Sequence, residues 1–335
     1  MAQPSNTYSV ARIHALESQL MDKMKIERMV EAASAEDALK ILGESGEYGA
    51  AMSDLQGPWE YEKVLEAELK SLKELLEKIS PNLAVSNLFF MHHDVNNVKV
   101  MIKAKTLGRE FPEFISPFGA IDLVVFNQAF KDDDFAALPA YLQEAIYDVR
   151  SEMDEKVDPQ KMDVILDRAM YAEILRIAKK EKMPAIMNYF RKEIDWINIL
   201  SFFRTNRAGF GSHYFSGVYI PGGTINERSF WKGIDENMDL ELDVLSGTEY
   251  RDMFAESLAL YRDSGNLSIL ERNIQNRMLE EIKRLSQNNY SGIEPVLGYL
   301  LAKEYEAKAV RLIMVGKLNG LPKEVIKERL RECYA

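Results

Sequence analysis

One segment occurs three times in this sequence, and its repetition constrains the fold more than any other feature. The copies read DVNNVKVMIKAK, DWINILSFFR and EAKAVRLIMV, and the second and third begin 101 and 212 residues after the first. The corresponding acids are Asp94, Asp195 and Glu306, and three residues further on the copies carry Asn97, Asn198 and Ala309. Copies of one segment about a hundred residues apart indicate three repeated modules.

Each copy has the periodicity of a helix that packs against its neighbours. Val95, Val98 and Ile102 recur at spacings of three and four in the first copy, and Trp196 and Ile199 continue the pattern in the second. The acid lies on a neighbouring stripe, so the helix is expected to pack on two faces. A buried carboxylate needs partners. It can hydrogen-bond within the module, cap a neighbouring turn or face an internal cavity, and the pattern leaves these alternatives open.

A second helix precedes each acid-containing segment. The tripeptides VLE, ILD and ILE, at residues 64–66, 165–167 and 269–271, each open a predicted long helix that leads back towards the acid. The repeating unit is therefore predicted to be an antiparallel pair of long helices joined by a short link.

Turns rich in proline and glycine mark the junctions between modules. Residues 115–121 and 219–225 read ISPFGAI and YIPGGTI. In each, proline with glycine two residues later marks a turn, and the apolar residue after the turn is expected to restart a helix. The chain is thus predicted to hold three similar helical modules, at residues 1–118, 119–222 and 223–335.

The remaining segments also read as helices. Apolar spacing predicts one helix over residues 7–33, and Ser34 with Asp37 has the form of a capping box that starts the next. Pro58 is expected at the start of a long amphipathic helix that ends near Lys78. The predicted fold class is all-α.

Composition narrows the partners that the chain can have. The 335 residues are 47% hydrophobic, with a net charge of −11 and a pI near 5.1. Binding to nucleic acids or anionic lipids requires clusters of basic residues, so neither is expected to be a partner. A protein with a basic surface is the expected partner. No signal peptide and no apolar run of about 20 residues occurs, so no direct membrane insertion is expected, and the lone Cys333 suits a reducing compartment.

No arrangement of residues in the sequence points to catalysis. The cluster HHD at 92–94 contains metal-ligating residue types, but adjacent helical positions point about 100° apart, and neither histidine has another at helical spacing. No phosphate-binding loop, HExxH, CxxC or GxSxG motif is present. We therefore predict no catalytic residue, no cofactor and no metal site.

The whole chain resembles the C subunit of the rotary V/A-type ATPases, which is the counterpart of the eukaryotic d subunit. The resemblance rests on YSVARIHALE at 8–17, LGESGEYG at 42–49, the Asp-x-x-Asn helices at 94 and 195, and the ending PVLGYLLAKEYEAKAVRLIMVGKLNGLP at 295–322.

This resemblance implies an architecture and a role. Members of the family are all-helical, funnel-shaped rotor adapters whose three domains surround a pseudo-threefold axis. The base rests on the cytoplasmic loops of the membrane rotor ring, and a socket receives the central axle, which is made of the D and F subunits. The resemblance therefore implies a non-catalytic, peripheral component on the cytoplasmic side of the membrane.

Five residues of the repeated helices are the candidate functional residues. Because acid and amide share one helix face, we expect Asp94, Asn97, Asp195, Asn198 and Glu306 to line or brace the socket. Ala309 departs from the pattern, so the three modules are not expected to contact the axle identically. The acidic balance further suggests that the axle presents basic residues, in which case salt should weaken binding.

Two rival functions follow from the same sequence. A helical-repeat scaffold for protein assembly would form an open superhelix instead of a closed body. A metal-dependent helical-bundle enzyme would need carboxylate and histidine ligands paired on facing helices, and the sequence offers no such pairs.

Overall fold

A computed structural model describes residues 6–152, 158–235, 245, 247–248, 250–287 and 292–330. Every regular element in this part of the chain is a helix, which confirms the predicted all-α class. Cys333 lies outside the described residues. None of the described helices is both long and apolar enough to span a bilayer.

Seventeen α-helices are described, together with three short 3₁₀ turns at Pro58–Glu60, Leu88–Phe90 and Pro112–Phe114. The helices are α1 (Asn6–Glu17), α2 (Lys23–Glu31), α3 (Ala35–Gly43), α4 (Gly46–Gly49), α5 (Tyr61–Ile79), α6 (Leu83–Asn87), α7 (Met91–Leu107), α8 (Leu123–Asp132), α9 (Ala140–Glu152), α10 (Pro159–Lys180), α11 (Pro184–Arg207), α12 (Ser212–Val218), α13 (Glu227–Asp235), α14 (Tyr250–Ser264), α15 (Leu267–Gln287), α16 (Glu294–Leu318) and α17 (Lys323–Arg329). The three acid-containing helices are α7, α11 and α16.

The chain divides into two compact units. Unit 1 combines both ends of the chain, residues 1–86 and 271–335, and unit 2 holds residues 87–270. The three predicted modules, their pseudo-threefold axis and the funnel shape remain predictions.

The core of unit 1 forms where α16 meets the first helices of the chain. Helix α16 packs against α1, α2, α3, α5 and α17. Val64 and Leu65 of α5 and Ile313 of α16 are fully buried in one apolar cluster. The last described helix, α17, adds Ile326 to the same core. Helices α2, α3 and α5 therefore share one hydrophobic core with α16 and α17.

Unit 2 is organised around the long helix α10. This helix packs against α7, α9, α11 and α12. Beside it, the rings of Phe202, Phe215 and Phe230 cluster with centroids 5.0–6.3 Å apart. Phe126 and Phe230, which occupy equivalent positions in the sequence repeat, are both fully buried. The repeated apolar positions are therefore core positions.

The first predicted helix pair is divided between the two units. Helix α5 lies in unit 1, where it packs on α16, and α7 lies in unit 2, where it packs on α10. The second pair, α10 and α11, does pack together. Helices α5 and α10 are thus each found against an acid-containing helix, although for α5 the partner comes from the third copy of the repeat.

The prediction of one helix over residues 7–33 is wrong, because the helix is interrupted between Glu17 and Lys23. At the break, the Met21 amide donates to the Glu306 carboxylate over 2.6 Å, and the Asp22 side chain caps α2. A continuous helix would direct the Met21 amide to a carbonyl four residues back. The tertiary hydrogen bond therefore replaces a helical one. The capping of α3 by Ser34, which accepts from the Asp37 amide, is confirmed.

Candidate functional site: three acids that hold a neighbouring segment

Asp94 of α7 holds the turn that follows its own helix. Its carboxylate is 1% exposed and accepts from the amides of Ala120 (3.0 Å) and Ile121 (3.1 Å). One turn further along α7, the Asn97 side chain exchanges two hydrogen bonds with the Ser116 backbone, at 2.8 and 2.7 Å. Two adjacent side chains of one helix thus fix both ends of the same turn.

Asp195 of α11 makes the equivalent contacts with the second turn. Its Oδ1 accepts from the amides of Thr224 (2.8 Å) and Ile225 (3.0 Å), and its Oδ2 from the Thr224 hydroxyl at 2.5 Å. Asn198 exchanges two 2.8 Å hydrogen bonds with the Ile220 backbone. Asp195 and Asn198 are both fully buried, so the charge and the amide are matched entirely within the protein.

Glu306 of α16 holds a segment from the opposite end of the chain. Its Oε2 accepts from the Met21 amide, as described above, and its Oε1 accepts from the Tyr48 hydroxyl at 2.5 Å. Lys303, which is 1% exposed, lies 3.1 Å from Oε1, 3.0 Å from the Glu68 carboxylate and 5.1 Å from the centre of the Tyr48 ring. The third acid therefore completes its contacts with residues from the start of the chain.

The three held segments share a two-residue pattern. An apolar residue donates its amide to the acid, and the next residue caps the helix that follows. These pairs are Met21–Asp22, Ile121–Asp122 and Ile225–Asn226, and the caps accept from the amides of Lys25, Val124 and Arg228 at 2.8–2.9 Å. Met21–Asp22 lies 100 residues before Ile121–Asp122. That offset is the sequence signal for the third held segment, and the apolar periodicity of residues 7–33 masks it.

Tyrosines from other helices also reach the acids, and the sequence pattern does not reveal them. Tyr250 donates to Asp195 over 2.9 Å, as Tyr48 does to Glu306. Burial raises the pKa of Tyr141, and the charge of Asp94 raises it further. A tyrosine therefore lies within electrostatic reach of each acid.

The alanine in the third copy has a structural reason. The residues that pair with Asn97 and Asn198 lie five positions before Ile121 and Ile225, and the equivalent position before Met21 is Leu16. Leu16 lies in the last turn of α1, and its carbonyl accepts from the Gln19 amide at 2.9 Å. The backbone at this equivalent position already has a partner, so it does not require an amide side chain at position 309.

Two glycines let the turns approach the acids. A Cβ atom on Gly119 would lie 2.0 Å from Asp94 Oδ1, and one on Gly223 would lie 2.2 Å from Asp195 Oδ1. Both distances are far below van der Waals contact. Any larger residue would displace the carboxylate or the turn.

The chemistry of the three sites is that of structural anchoring. Each carboxylate oxygen described above accepts from an amide, a hydroxyl or an ammonium group. His93, one of the two histidines beside Asp94, shares a 2.8 Å hydrogen bond between its Nδ1 and the Ser116 hydroxyl. The residues therefore fix backbone positions. That the five residues line a socket, and that the chain holds no cofactor or metal, remain predictions.

Comparison with known proteins assigns the chain to a class of rotary ATPase components. Residues 9–329 match the ATP synthase (C/AC39) subunit family, and the chain belongs to this family. The resemblance identified from the sequence is therefore confirmed. Members are parts of a membrane-associated, multisubunit ATPase.

Three relatives illustrate how widely the similarity extends. The C subunit of the A-type ATP synthase of Methanocaldococcus jannaschii is 26% identical, over 96% of this chain and 85% of the relative. The C subunits of the V-type sodium ATPase of Enterococcus hirae and of the V-type ATP synthase of Thermus thermophilus are each 25% identical, over 96% of this chain and 97% of the relative. The similarity thus spans nearly the whole length of each protein.

Replacing Gly119 with alanine should destabilise unit 2 by about 1–3 kcal/mol, because the added methyl group overpacks against Asp94. Urea unfolding of the full chain measures this change. Gly211→Ala is the matched control, since a Cβ there meets nothing within 4 Å. In the Asp94→Ala background, Gly119→Ala should cost much less, and additive effects would contradict the proposed contact.

Asp94→Asn should destabilise the protein by about 1–3 kcal/mol, and Asp195→Asn by less. Both Asp94 oxygens accept from backbone amides. In the asparagine variant the side-chain NH2 group replaces one of these oxygens, so it faces a backbone N–H from which it cannot accept. In Asp195, Oδ1 alone receives both amides, and Oδ2 faces hydroxyls that can also accept. Thermal unfolding of the two variants compares them directly, and an equal or larger loss for Asp195→Asn would refute this explanation.

Proposed function

We propose that this chain is the non-catalytic central-stalk rotor component of a V/A-type ATPase. It couples the central axle, made of the D and F subunits, to the cytoplasmic loops of the membrane rotor ring. Through this coupling, ion transport is linked to ATP hydrolysis or synthesis. The protein is bound peripherally on the cytoplasmic side of the membrane through the membrane sector of the complex.

The observation that carries this proposal, beside family membership, is the threefold use of a buried acid to anchor another segment. A protein that transmits torque must resist slippage of its turns under load. Hydrogen bonds to a charged group contribute about 1.5–3 kcal/mol each, and each acid makes at least two. These anchors favour a stiff body.

The third acid supports a closed body over the rival helical-repeat scaffold. In a linear repeat array each repeat contacts only its neighbours, so the first and last repeats do not meet. Here Glu306 binds Met21 and Tyr48, which precede it by 285 and 258 positions. Segments that are far apart in the sequence are thus held together within unit 1, which supports an adapter that encloses an axle.

Within this proposal, the five candidate residues brace the protein and do not touch the axle. Asp94, Asn97, Asp195 and Asn198 are at most 1% exposed, and Glu306 is 8% exposed. Side chains buried to this degree present almost no surface to a partner. Their contribution to coupling is therefore to keep the segments that they hold in place.

Glu306→Ala should uncouple the motor in the assembled complex. The substitution removes the anchor between the two ends of the chain and leaves buried Lys303 without one of its carboxylates. We expect ATP hydrolysis to continue while ATP-driven ion transport into vesicles falls several-fold. The control is Lys308→Ala, an exposed position on the same helix.

The proposal also requires direct binding. The purified chain should bind the isolated D and F pair and the isolated ring in pull-down and cross-linking experiments. If the chain binds neither partner, or if complexes lacking it transport ions normally, the proposed function is wrong.

Salt should weaken binding to the axle. Because the chain carries a net charge of −11, attraction to a basic axle is long-range and is screened as the Debye length falls from about 10 Å at 0.1 M to about 3 Å at 1 M salt. We expect the Kd for the D and F pair to rise roughly tenfold, or about 1.4 kcal/mol, over this range. Titration calorimetry measures it, and a constant Kd would exclude a basic axle surface.

A further inference from the structure

The residue twenty positions after each acid is apolar, but it is buried in only two of the three copies. These residues are Phe114, Phe215 and Ile326. Phe215 and Ile326 are at most 1% exposed, whereas Phe114 is 62% exposed. Equivalent positions of a repeat are expected to contribute to the same core, so the exposure of Phe114 needs a reason.

The segment that carries this residue is built differently in the first copy. In the second and third copies it is a seven-residue helix, α12 or α17. Arg168 and Arg272 donate to carbonyls in the last turns of these helices, at 2.8 and 2.9 Å. The first copy has Ala67 at the position equivalent to these arginines, and alanine has no donor to offer. Its segment forms only the 3₁₀ turn Pro112–Phe114, and position 114 stays at the surface.

This turn presents two aromatic rings. The ring centres of Phe111, which is half-buried, and Phe114 lie 6.4 Å apart. At the position of Phe111 the other copies carry Ser212 and Lys323, so the aromatic pair occurs in the first copy only. We name residues 110–114, which read EFPEF, the aromatic turn. Aromatic side chains are enriched where protein surfaces make contact.

The aromatic turn is fixed on both sides. Gly108, with a φ of 61°, ends the helix that precedes it. The Asn96 side chain donates to the Phe114 carbonyl over 3.0 Å, and Asn97 holds the Ser116 backbone. A surface that is fixed before binding loses little conformational entropy when a partner docks. The exposed ring therefore belongs to a preformed surface.

The free charges of the aromatic turn are acidic. Glu110 and Glu113 are exposed, and neither has an ion-pair partner among the residues that the structure describes. The basic side chains just before the turn are already engaged. Arg109 lies over the first ring of the turn, 5.2 Å from its centre, and Lys105 pairs with Asp133. The turn thus offers two carboxylates and aromatic surface, a combination that suits basic and apolar side chains of a partner.

We propose that the aromatic turn is a contact site for the axle and receives an apolar segment flanked by basic residues. This inference rests on the proposed function and adds to it a surface and the chemistry of the segment bound there. The site occurs in one copy only, so it fits a partner that lacks the symmetry of the repeat. The ring offers the same loop many times and fits such a site less well. The two carboxylates match the basic surface expected on the axle.

The test uses two variants of the full chain, each with a matched control. Phe114→Ser removes the exposed ring, and its control is Val124→Ser, at a position that is 72% exposed in the same unit. Glu110→Lys with Glu113→Lys reverses the charge of the turn. Its control is Glu144→Lys with Asp148→Lys, which makes the same change of net charge at exposed positions of α9.

Binding of each variant is measured by titration calorimetry to the D and F pair and, separately, to the isolated ring in lipid nanodiscs. Far-ultraviolet circular dichroism and thermal unfolding check that the variants fold. The charge-reversed variant leaves both rings in place, so it keeps the test decisive if the serine variant is unfolded.

We expect Phe114→Ser to raise the Kd for the axle pair at least fivefold, and the charge-reversed turn to raise it at least tenfold at 0.1 M salt and by less at 1 M salt. The Kd for the ring should change by less than twofold in both. The serine control should bind both partners like the wild type. The charge control should change the axle Kd by less than threefold, which measures the long-range effect of net charge alone.

Other outcomes separate the two proposals. If the wild type binds the axle pair and both turn variants bind it equally well, the inference is wrong while the proposed function stands. If the variants lose the ring and keep the axle, the turn meets the ring and the inference is again wrong. Self-association of the wild type in sedimentation, abolished by Phe114→Ser, would identify a second copy as the occupant and overturn the inference. If the wild type binds neither partner, the proposed function fails and the inference fails with it.

Discussion

A carboxylate that is removed from water must be met by hydrogen-bond donors, and the rest of this structure depends on how three such carboxylates are met. Asp94, Asp195 and Glu306 each lie on a helix whose own amides are already paired. Backbone donors therefore have to come from another segment. In all three cases one donor is the amide of the residue that precedes a helix cap, so each acid also helps to set where another helix begins.

This requirement explains features that look unrelated in isolation. Positions 119 and 223 are occupied by glycine because the turn must approach the acid more closely than a side chain would allow. Asn97 and Asn198 pair with turn backbone that has no helical partner, and where that backbone is helical the residue is Ala309. One interaction thus accounts for a pattern of glycines, amides and one alanine in three copies of a helix.

The order of the contacts has a consequence for how the protein is built. The first two acids hold segments that follow them within about thirty residues, whereas the third holds the start of the chain. Unit 1 therefore cannot form its buried anchor until α16 has been made, and its contacts are among the most distant in sequence. Such contacts cost more loop entropy during folding than local ones. In return, helices α2, α3 and α5 are fixed in one core with α16 and α17, which suits a component of a rotary motor.

The sequence by itself determined the helical class, the three copies of the acid-containing helix and the family, because periodicity and fixed offsets are local properties that can be read along the chain. The partners of the acids could be decided only by the tertiary structure, since those partners are chiefly backbone amides, which nearly every residue carries. The break between Glu17 and Lys23 is the clearest case. The apolar residues of this segment are spaced as in a helix. The Met21 amide nevertheless donates to Glu306, 285 positions away, and not to a helical carbonyl.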